Sequence, residues 1–321
     1  MKRLLVTGGA GFIGSNFIRY MLNQYPEYEI INLDALTYAG NLQNLTDVQS
    51  NAKYCFIKGD IANGSAVRHA IANGVDVIVN FAAESHVDRS IENPQLFVRT
   101  NVLGTQVLLD AAIKYNIKKY VQISTDEVYG TLSEGGHFTE DTPLKPNSPY
   151  SASKAGADLL VRAYHETYGL DVNITRCSNN YGPYQFPEKL IPLVITKAFS
   201  DQEIPVYGDG LQIRDWLQVE DHCRAIDLVL HKGKNGEVYN IGGNNEYTNL
   251  EIVTTILNEM GKSISLIKHI QDRPGHDRRY AINAEKIITQ LNWSPYYDFA
   301  NGIKETVSWY LEHAAWWQNV N

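Results

Sequence analysis

Short apolar runs alternate with amphipathic stretches through the first half of the chain and set its expected plan. Lys2 to Thr7 is such a run, and it feeds Gly8-Gly9-Ala10-Gly11-Phe12-Ile13-Gly14, after which Ser15 to Leu22 carries helical periodicity. Glu29 to Leu33, Cys55 to Ile61, Val75 to Ala83, Tyr120 to Ile123 and Val172 to Arg176 are further β-like runs. Val75 to Ala83 is apolar nearly throughout, as a parallel strand covered on both faces is. Asn93-Pro94 opens a long helix, with Asn at the cap, Pro at the first helical position, and Phe97, Val98, Val102, Leu108, Leu109 and Ile113 at helical spacing. Tyr150 to Tyr168 reads as another helix. Strand after helix after strand predicts an α/β fold, a doubly wound parallel sheet.

Beyond Asn179 the rhythm breaks. Helices are expected near 188–200, 217–231, 248–260, 284–291 and 302–315, joined by loops and short strands that include Glu237 to Ile241 and Ile264 to Lys268. Thr248-Asn249-Leu250-Glu251 has the capping-box pattern and Gly261 suits the end of that helix. The expected division is residues 1–178 as a Rossmann-type domain and 179–321 as a smaller, mostly helical C-terminal lobe, with some elements of the lobe free to return to the first domain. The stretch from Leu132 to Pro149 is polar and reads as a loop over the site. Trp309, Trp316 and Trp317 read as packing or subunit contact.

Composition narrows the function. In 321 residues, 44% hydrophobic and 20% charged content is that of an ordinary globular protein. A formal net charge of -8 argues against nucleic-acid or anionic-membrane partners, so any anionic ligand needs a local basic pocket. Cys55, Cys177 and Cys223 are widely spaced and the histidines scattered, so neither a disulfide framework nor a metal site is expected. Buried free thiols, a strand beginning at Lys2 and no apolar run approaching about 18 residues lead to the expectation of a cytoplasmic protein.

The first candidate chemistry is the glycine turn. Gly8, Gly11 and Gly14 follow G-x-x-G-x-x-G between a strand and a helix, which lets a pyrophosphate approach the helix N-terminus. Asp34 closes the next strand twenty residues beyond Gly14, where a carboxylate accepts hydrogen bonds from both ribose hydroxyls and repels a 2'-phosphate. That favours NAD over NADP. Asp60, at the end of the third run, meets the adenine or serves as a plain turn residue, and the small Ala82 and Ala83 let a cofactor lie across the strand ends.

The second is Ser124-Thr125-Asp126-Glu127-Val128-Tyr129-Gly130, which sets two carboxylates side by side where an apolar run stops. In a continuing strand they point to opposite faces, so for both to serve one pocket the chain must leave the sheet near Ser124 or Thr125. Downstream, Tyr150 and Lys154 are four apart and share a helix face, with Ser148 as cap and Pro149 at the first position. Tyr150 is thereby expected on the exposed face of the helix start. Making a phenol of pKa about 10 basic near neutrality needs roughly 4 kcal/mol, for which a nearby ammonium, the helix N-terminus and a positive nicotinamide are the expected sources.

These segments resemble the extended short-chain dehydrogenase/reductase family and, within it, the dTDP-glucose 4,6-dehydratases. The likeness runs through Thr7 to Gly14, Ala82 to Asp88, Thr125 to Gly130, Tyr150 to Lys154, Arg176 to Leu190 and Arg273-Pro274-Gly275-His276-Asp277. Thr125-Asp126-Glu127 is its most discriminating part, because the epimerases of that family carry no acidic pair there. Gln218 is a departure, standing where relatives are expected to have an aromatic residue.

The resemblance implies dTDP-glucose as substrate, tightly bound NAD regenerated in each cycle, a 4-keto-6-deoxy sugar product used in rhamnose-type deoxysugar biosynthesis, and a homodimer. It implies Tyr150 as base for the 4-hydroxyl, Lys154 on the nicotinamide ribose, Thr125 at the C4 oxygen, Glu127 as base at C5 and Asp126 as acid at the departing 6-oxygen. The cofactor set becomes Gly8, Gly11, Phe12, Ile13, Gly14, Asp34, Asp60, Ile61, Ala82, Ala83, Tyr150, Lys154 and Asn180. The substrate set becomes Ser85, Asn179, Lys189, Leu190, Tyr207, Arg214, Asn249, Arg273 and His276. A UDP- or GDP-sugar dehydratase, a nucleotide-sugar epimerase and a non-catalytic NAD-sensing regulator stay open as alternatives at this stage.

Overall fold

A computed structural model describes residues 2–132, 135–272 and 275–319. In the first half β1 (Arg3–Thr7) runs through the glycine turn into α1 (Phe12–Gln24), followed by β2 (Glu29–Asp34), β3 (Tyr54–Lys58), α2 (Gly64–Ile71) and β4 (Val77–Asn80). Next come α3 (Val87–Glu92), α4 (Pro94–Phe97), a π-helical turn over Val98–Leu103, and α5 (Gly104–Lys114). β5 (Lys119–Thr125) ends in a 3-10 turn over Asp126–Tyr129, and α6 (Pro149–Tyr168) and β6 (Val172–Cys177) complete this half.

The second half holds β7 (Asn179–Tyr181), α7 (Leu190–Phe199), β8 (Ile204–Tyr207), β9 (Ile213–Gln218), α8 (Val219–Lys232) and β10 (Val238–Ile241). It ends with β11 (Glu246–Thr248), α9 (Asn249–Glu259), β12 (Ile267–Ile270), α10 (Glu285–Leu291), α11 (Phe299–Glu312) and α12 (Ala314–Gln318).

The main sheet has seven parallel strands in the order β10-β6-β5-β4-β1-β2-β3. Strand order reverses between β1 and β4, and the crevice above their C-terminal ends is where such sheets bind ligands. Alternate side chains of each strand feed the two faces. Leu4 and Val6 pack with Phe17 and Met21 of α1 and Ile226 and Leu230 of α8, while Leu5 and Ile31 pack with Val67, Leu108 and Val161 from α2, α5 and α6. At about 1.5–3 kcal/mol for each fully buried large aliphatic side chain, these two layers hold the strand ends rigid. α8 and β10 therefore belong to the first domain's layers although they follow Asn179 in sequence.

The lobe is built on a three-stranded sheet, β11-β9-β7, and a two-stranded one, β12-β8, around Ile195, Trp216, Ile256, Phe299 and Tyr310. The expected capping box of Thr248 and Glu251 is present, and Ser148 caps α6 through a reciprocal pair with Ser151.

Several expectations need correction. The run Val75 to Ala83 gives only four residues of strand, because the chain leaves the sheet after Asn80 to line the crevice. Leu217 and Gln218 finish β9 rather than open a helix, and the 302–315 helix starts earlier, at Phe299 behind the Asp298 cap. Ile264 to Lys268 divides between a 3-10 turn and β12. Asn93 precedes Pro94 as expected, yet its side chain makes no capping bond. Cys55 is exposed, while Cys177 and Cys223 are buried. β9 escapes a hydropathy reading because Arg214 and Asp215 interrupt it. Asp215 is tolerated inside because the backbone N–H groups of Gly243 and Asn245 satisfy its two oxygens at 2.9 and 2.6 Å.

Candidate active site

The glycine turn, the ends of β2, β4 and β5 and the start of α6 enclose a cavity of about 360 Å3. A β-carbon on Gly14 would lie 2.4 Å from the Gly8 carbonyl oxygen, and Gly8 itself has φ +67°, so the turn can pass this close to the helix only as glycine. Asp34 accepts hydrogen bonds from the Ala10 N–H at 2.9 Å and the Leu36 N–H at 2.8 Å, which fixes its carboxylate at the rim. Burial pushes its pKa up and these two donors pull it down. Asp60 is both a turn residue and a wall: it accepts from Ala62 N at 2.8 Å and pairs with Arg99 at 2.6 Å. All thirteen residues expected to hold a dinucleotide line this one cavity. The open helix N-terminus and the acidic residue at the end of β2 fit NAD.

The catalytic set converges at the opposite end. β5 stops at Thr125, whose hydroxyl accepts from the Glu127 N–H at 3.3 Å and so caps the 3-10 turn. That turn is the departure from the strand the acidic pair required, and it brings both Asp126 and Glu127 to the cavity wall beside Tyr150 and Lys154. Asp126 is 1% exposed. Its pKa is raised well above the usual carboxylate range, first by burial and then by the charges of Glu127 and Asp215, with Arg214 opposing. Its Oδ1 accepts from the Thr125 hydroxyl at 3.3 Å, and Oδ2 has no hydrogen-bond partner among the described residues. A buried carboxyl of this kind is a proton donor.

Tyr150 differs from expectation in two respects. It is buried, not exposed, and burial together with the nearby Glu127 charge raises its pKa well above 10, against a hydrogen bond with Thr125 that acts the other way. The Lys154 ammonium donates to the Ile123 carbonyl at 2.6 Å. Desolvation lowers the Lys154 pKa, with the Asp158 carboxylate one helical turn on acting to raise it. Burial first, and then the Glu127 charge, favour the neutral phenol at Tyr150.

Of the substrate set, Ser85, Asn179 and Lys189 line the cavity, with Lys189 Nζ donating to the Ser85 carbonyl at 3.2 Å. Leu190 opens α7 behind the Lys189 cap, and Asn249 opens α9. Neither they nor Tyr207, Arg214 and His276 belong to this cavity wall. Those last three lie along the adjoining lobe. Tyr207 donates to Asp88 at 3.3 Å and meets the His276 ring edge-on, His276 pairs with Asp272 at 2.6 Å, and Arg214 stacks on Tyr280 and donates to the Asp277 carbonyl at 2.9 Å. Arg273 lies outside the described residues. Gln218 is buried and accepts from the Glu220 N–H to cap α8, so the departure noted at this position has a local structural use.

Asn101 is a residue the sequence reading missed. From the π-helical turn it accepts from Glu84 N at 2.9 Å and donates to Glu84 O at 3.0 Å and to Ser153 Oγ at 2.8 Å, tying the end of β4 to α6. Its signal was a lone asparagine on the apolar face of a helix. Tyr38 and Phe186 line the cavity in edge-to-face contact, Tyr38 from a loop with no motif and Phe186 from within the stretch Arg176 to Leu190.

A parallel sheet with a glycine turn at its switch point and a Tyr150–Lys154 pair at its strand ends defines a short-chain dehydrogenase/reductase of the extended type. Residues 5–306 match the family described as GDP-mannose 4,6 dehydratase, and the chain belongs to that family. Among curated relatives it is 54% identical to a dTDP-glucose 4,6-dehydratase of Xanthomonas campestris pv. campestris, over 100% of this chain and 96% of the relative. It is 48% identical to one of Escherichia coli, over 99% and 96%. Among solved structures, dTDP-glucose 4,6-dehydratase of Bacillus anthracis in complex with NAD superposes with a TM-score of 0.94 at 56% identity, covering 100% of both chains. DesIV, the Streptomyces venezuelae dTDP-glucose 4,6-dehydratase with NAD and TYD bound, gives 0.96 at 51%, covering 99% of this chain and 100% of that one. A UDP-glucose 4-epimerase of Thermotoga maritima shares the fold at 0.91 but only 27% identity, over 97% and 99%.

Proposed function

We propose that the protein dehydrates dTDP-glucose to dTDP-4-keto-6-deoxyglucose with NAD as a regenerated cofactor. The observation that carries this is the buried Asp126 carboxyl, its pKa raised by that burial, placed beside Glu127 and within the cavity of Tyr150 and Lys154. Hydroxide is a poor leaving group and the C5 proton of glucose is not acidic, but a ketone at C4 makes it so.

NAD, when bound, supplies a hydride acceptor and donor and brings positive charge into the cleft that Tyr150 lines. Thr125 orients the 4-oxygen and Tyr150 takes its proton. Lys154, anchored to the Ile123 carbonyl and lining the same cavity, would hold the nicotinamide ribose. Glu127 removes the C5 proton and Asp126 protonates the departing 6-oxygen, which leaves as water; the hydride taken from C4 would then return to C6 and a proton to C5, giving the 4-keto-6-deoxy sugar. Burial, which raises the Asp126 pKa well above the carboxylate range, supports the acid role of Asp126. Ser85, Asn179 and Lys189 meet the sugar and diphosphate from the cavity side. Leu190, Tyr207, Arg214, Asn249, Arg273 and His276 are assigned to the nucleotide side, where the arginines suit bidentate phosphate contact.

Incubation of the purified protein with dTDP-glucose, UDP-glucose and GDP-mannose, followed by the alkaline absorbance of the 4-keto product, tests this reading. Product from dTDP-glucose is the expected result, and product only from another sugar nucleotide overturns the substrate assignment.

The protein is further proposed to be a homodimer. Helix Pro94–Lys114 has the length and mean hydropathy (1.2) of a membrane span, yet its inner face is buried and it carries Arg99, Asp110 and Lys114. Its outer face shows Val98 at 54% exposure and Leu103 at 45%, and the neighbouring α6 shows Leu159 at 56%. A second copy covering this apolar surface accounts for it. Leu159→Lys is expected to shift sedimentation from dimer to monomer. The buried free thiols of Cys177 and Cys223 support a reducing compartment, and the cytoplasm is proposed on that basis.

A further inference from the structure

We infer that Tyr129 is a positioning residue for the elimination half of the reaction, holding the Asp126–Glu127 turn in register with the catalytic helix from outside the cavity. This rests on the dehydratase reading above. Tyr129 ends the 3-10 turn, is 2% exposed and does not line the cavity. Its hydroxyl donates to Asn240 Oδ1 of β10 at 2.8 Å and accepts from Arg176 Nη1 of β6 at 2.9 Å. The Arg176 guanidinium also lies over the Tyr129 ring, 4.9 Å from its centroid. Arg176 Nε in turn reaches Asp158 of α6 at 3.0 Å, an ion pair with both partners buried. Asp158 is one helical turn beyond Lys154. The phenol thus joins the acidic turn, two sheet strands and the helix that carries Tyr150 and Lys154 through one buried network.

The consequence is uneven across the site. Thr125 is the last residue of β5, held by the pairing of that strand with β6, where it faces Cys177. Tyr150 and Lys154 sit on a capped helix of twenty residues. Asp126 and Glu127 have no ladder. Besides the cap at Thr125, the contacts that hold their turn among the described residues include Gly130 N–H on the Glu127 carbonyl at 3.3 Å, Lys145 N–H on the Val128 carbonyl at 3.1 Å, and the Tyr129 side chain. Glu140, which accepts from Asn240 N at 2.8 Å, and Phe138, stacked on Tyr129 at 5.0 Å, close the outer side. Removing the phenolic oxygen therefore loosens the two carboxylates while the oxidation machinery keeps its own anchors.

Tyr129→Phe, prepared with its cofactor, tests this. Wild type must first turn over dTDP-glucose, and if it does not, the dehydratase reading fails before this inference is reached. The expected result is kcat lower by about tenfold or more with KM within about threefold, as a small misplacement of reacting groups produces. Reduced cofactor should accumulate in the steady state, read by its near-ultraviolet absorbance, because oxidation continues while elimination lags. Unchanged kcat overturns the inference. So does a fall in kcat without accumulation of reduced cofactor, which marks a general structural loss. Should Tyr129→Phe fail to fold, Asn240→Ala removes the acceptor of the same hydroxyl from the β10 side, and the same two readouts decide.

Discussion

Replacing Asp126 with asparagine separates chemistry from stability at one position. Asparagine is isosteric with the neutral acid. It keeps the acceptor that Thr125 meets at 3.3 Å and puts an amide where Oδ2 has no hydrogen-bond partner among the described residues. If Asp126 is protonated in the folded enzyme, the variant retains its fold and its substrate affinity but has no proton to give the 6-oxygen. Loss of a general acid costs about 10²- to 10⁴-fold in kcat, or about 3–5.5 kcal/mol of transition-state stabilisation.

Stability supplies an independent check on the same proton. The folded pKa of Asp126 is raised above its unfolded value, so between the two the native state holds a proton that the unfolded chain has released. Stability from this group is then intact below the unfolded pKa near 4 and falls by about 1.4 kcal/mol per pH unit until the folded carboxyl titrates. Asparagine removes that dependence, so denaturant titrations of the cofactor-loaded proteins should show the variant gaining on wild type as pH rises from about 5. Product formation by alkaline absorbance gives kcat, and solvent deuterium entering C5 reports whether Glu127 still works. Near-normal kcat, or a stability difference flat with pH, refutes the assignment of Asp126 as the neutral acid.

Two further substitutions address the rest of the cleft. Tyr150→Phe is expected to lower kcat by about 10²-fold or more with no reduced cofactor formed, since it removes the group that takes the 4-hydroxyl proton; cofactor content of the purified variant should match wild type. Asp34→Ala strips the acceptor of the Ala10 and Leu36 N–H groups and the proposed ribose contact, and should weaken NAD binding by about tenfold to a hundredfold, measured by equilibrium dialysis after cofactor removal.

The parallel α/β plan and the glycine turn with Asp34 were legible in the sequence because each rests on local periodicity or short spacing, and the grouping of Asp126, Glu127, Tyr150 and Lys154 was legible through the family resemblance. Local chemistry also announced the caps at Ser148 and Thr248. What the sequence could not supply was environment. Tyr150 is expected on an exposed face, and the folded chain buries it, while Lys154 donates to a main-chain carbonyl. Tyr38 came to the cavity from a loop without a motif, Asn101 ties Glu84 to α6 from a helix face, and α8 and β10 returned to the first domain across a sequence gap that periodicity does not bridge. Charge states and long-range contacts depend on which groups exclude water around one another, and only the tertiary structure brings those groups together.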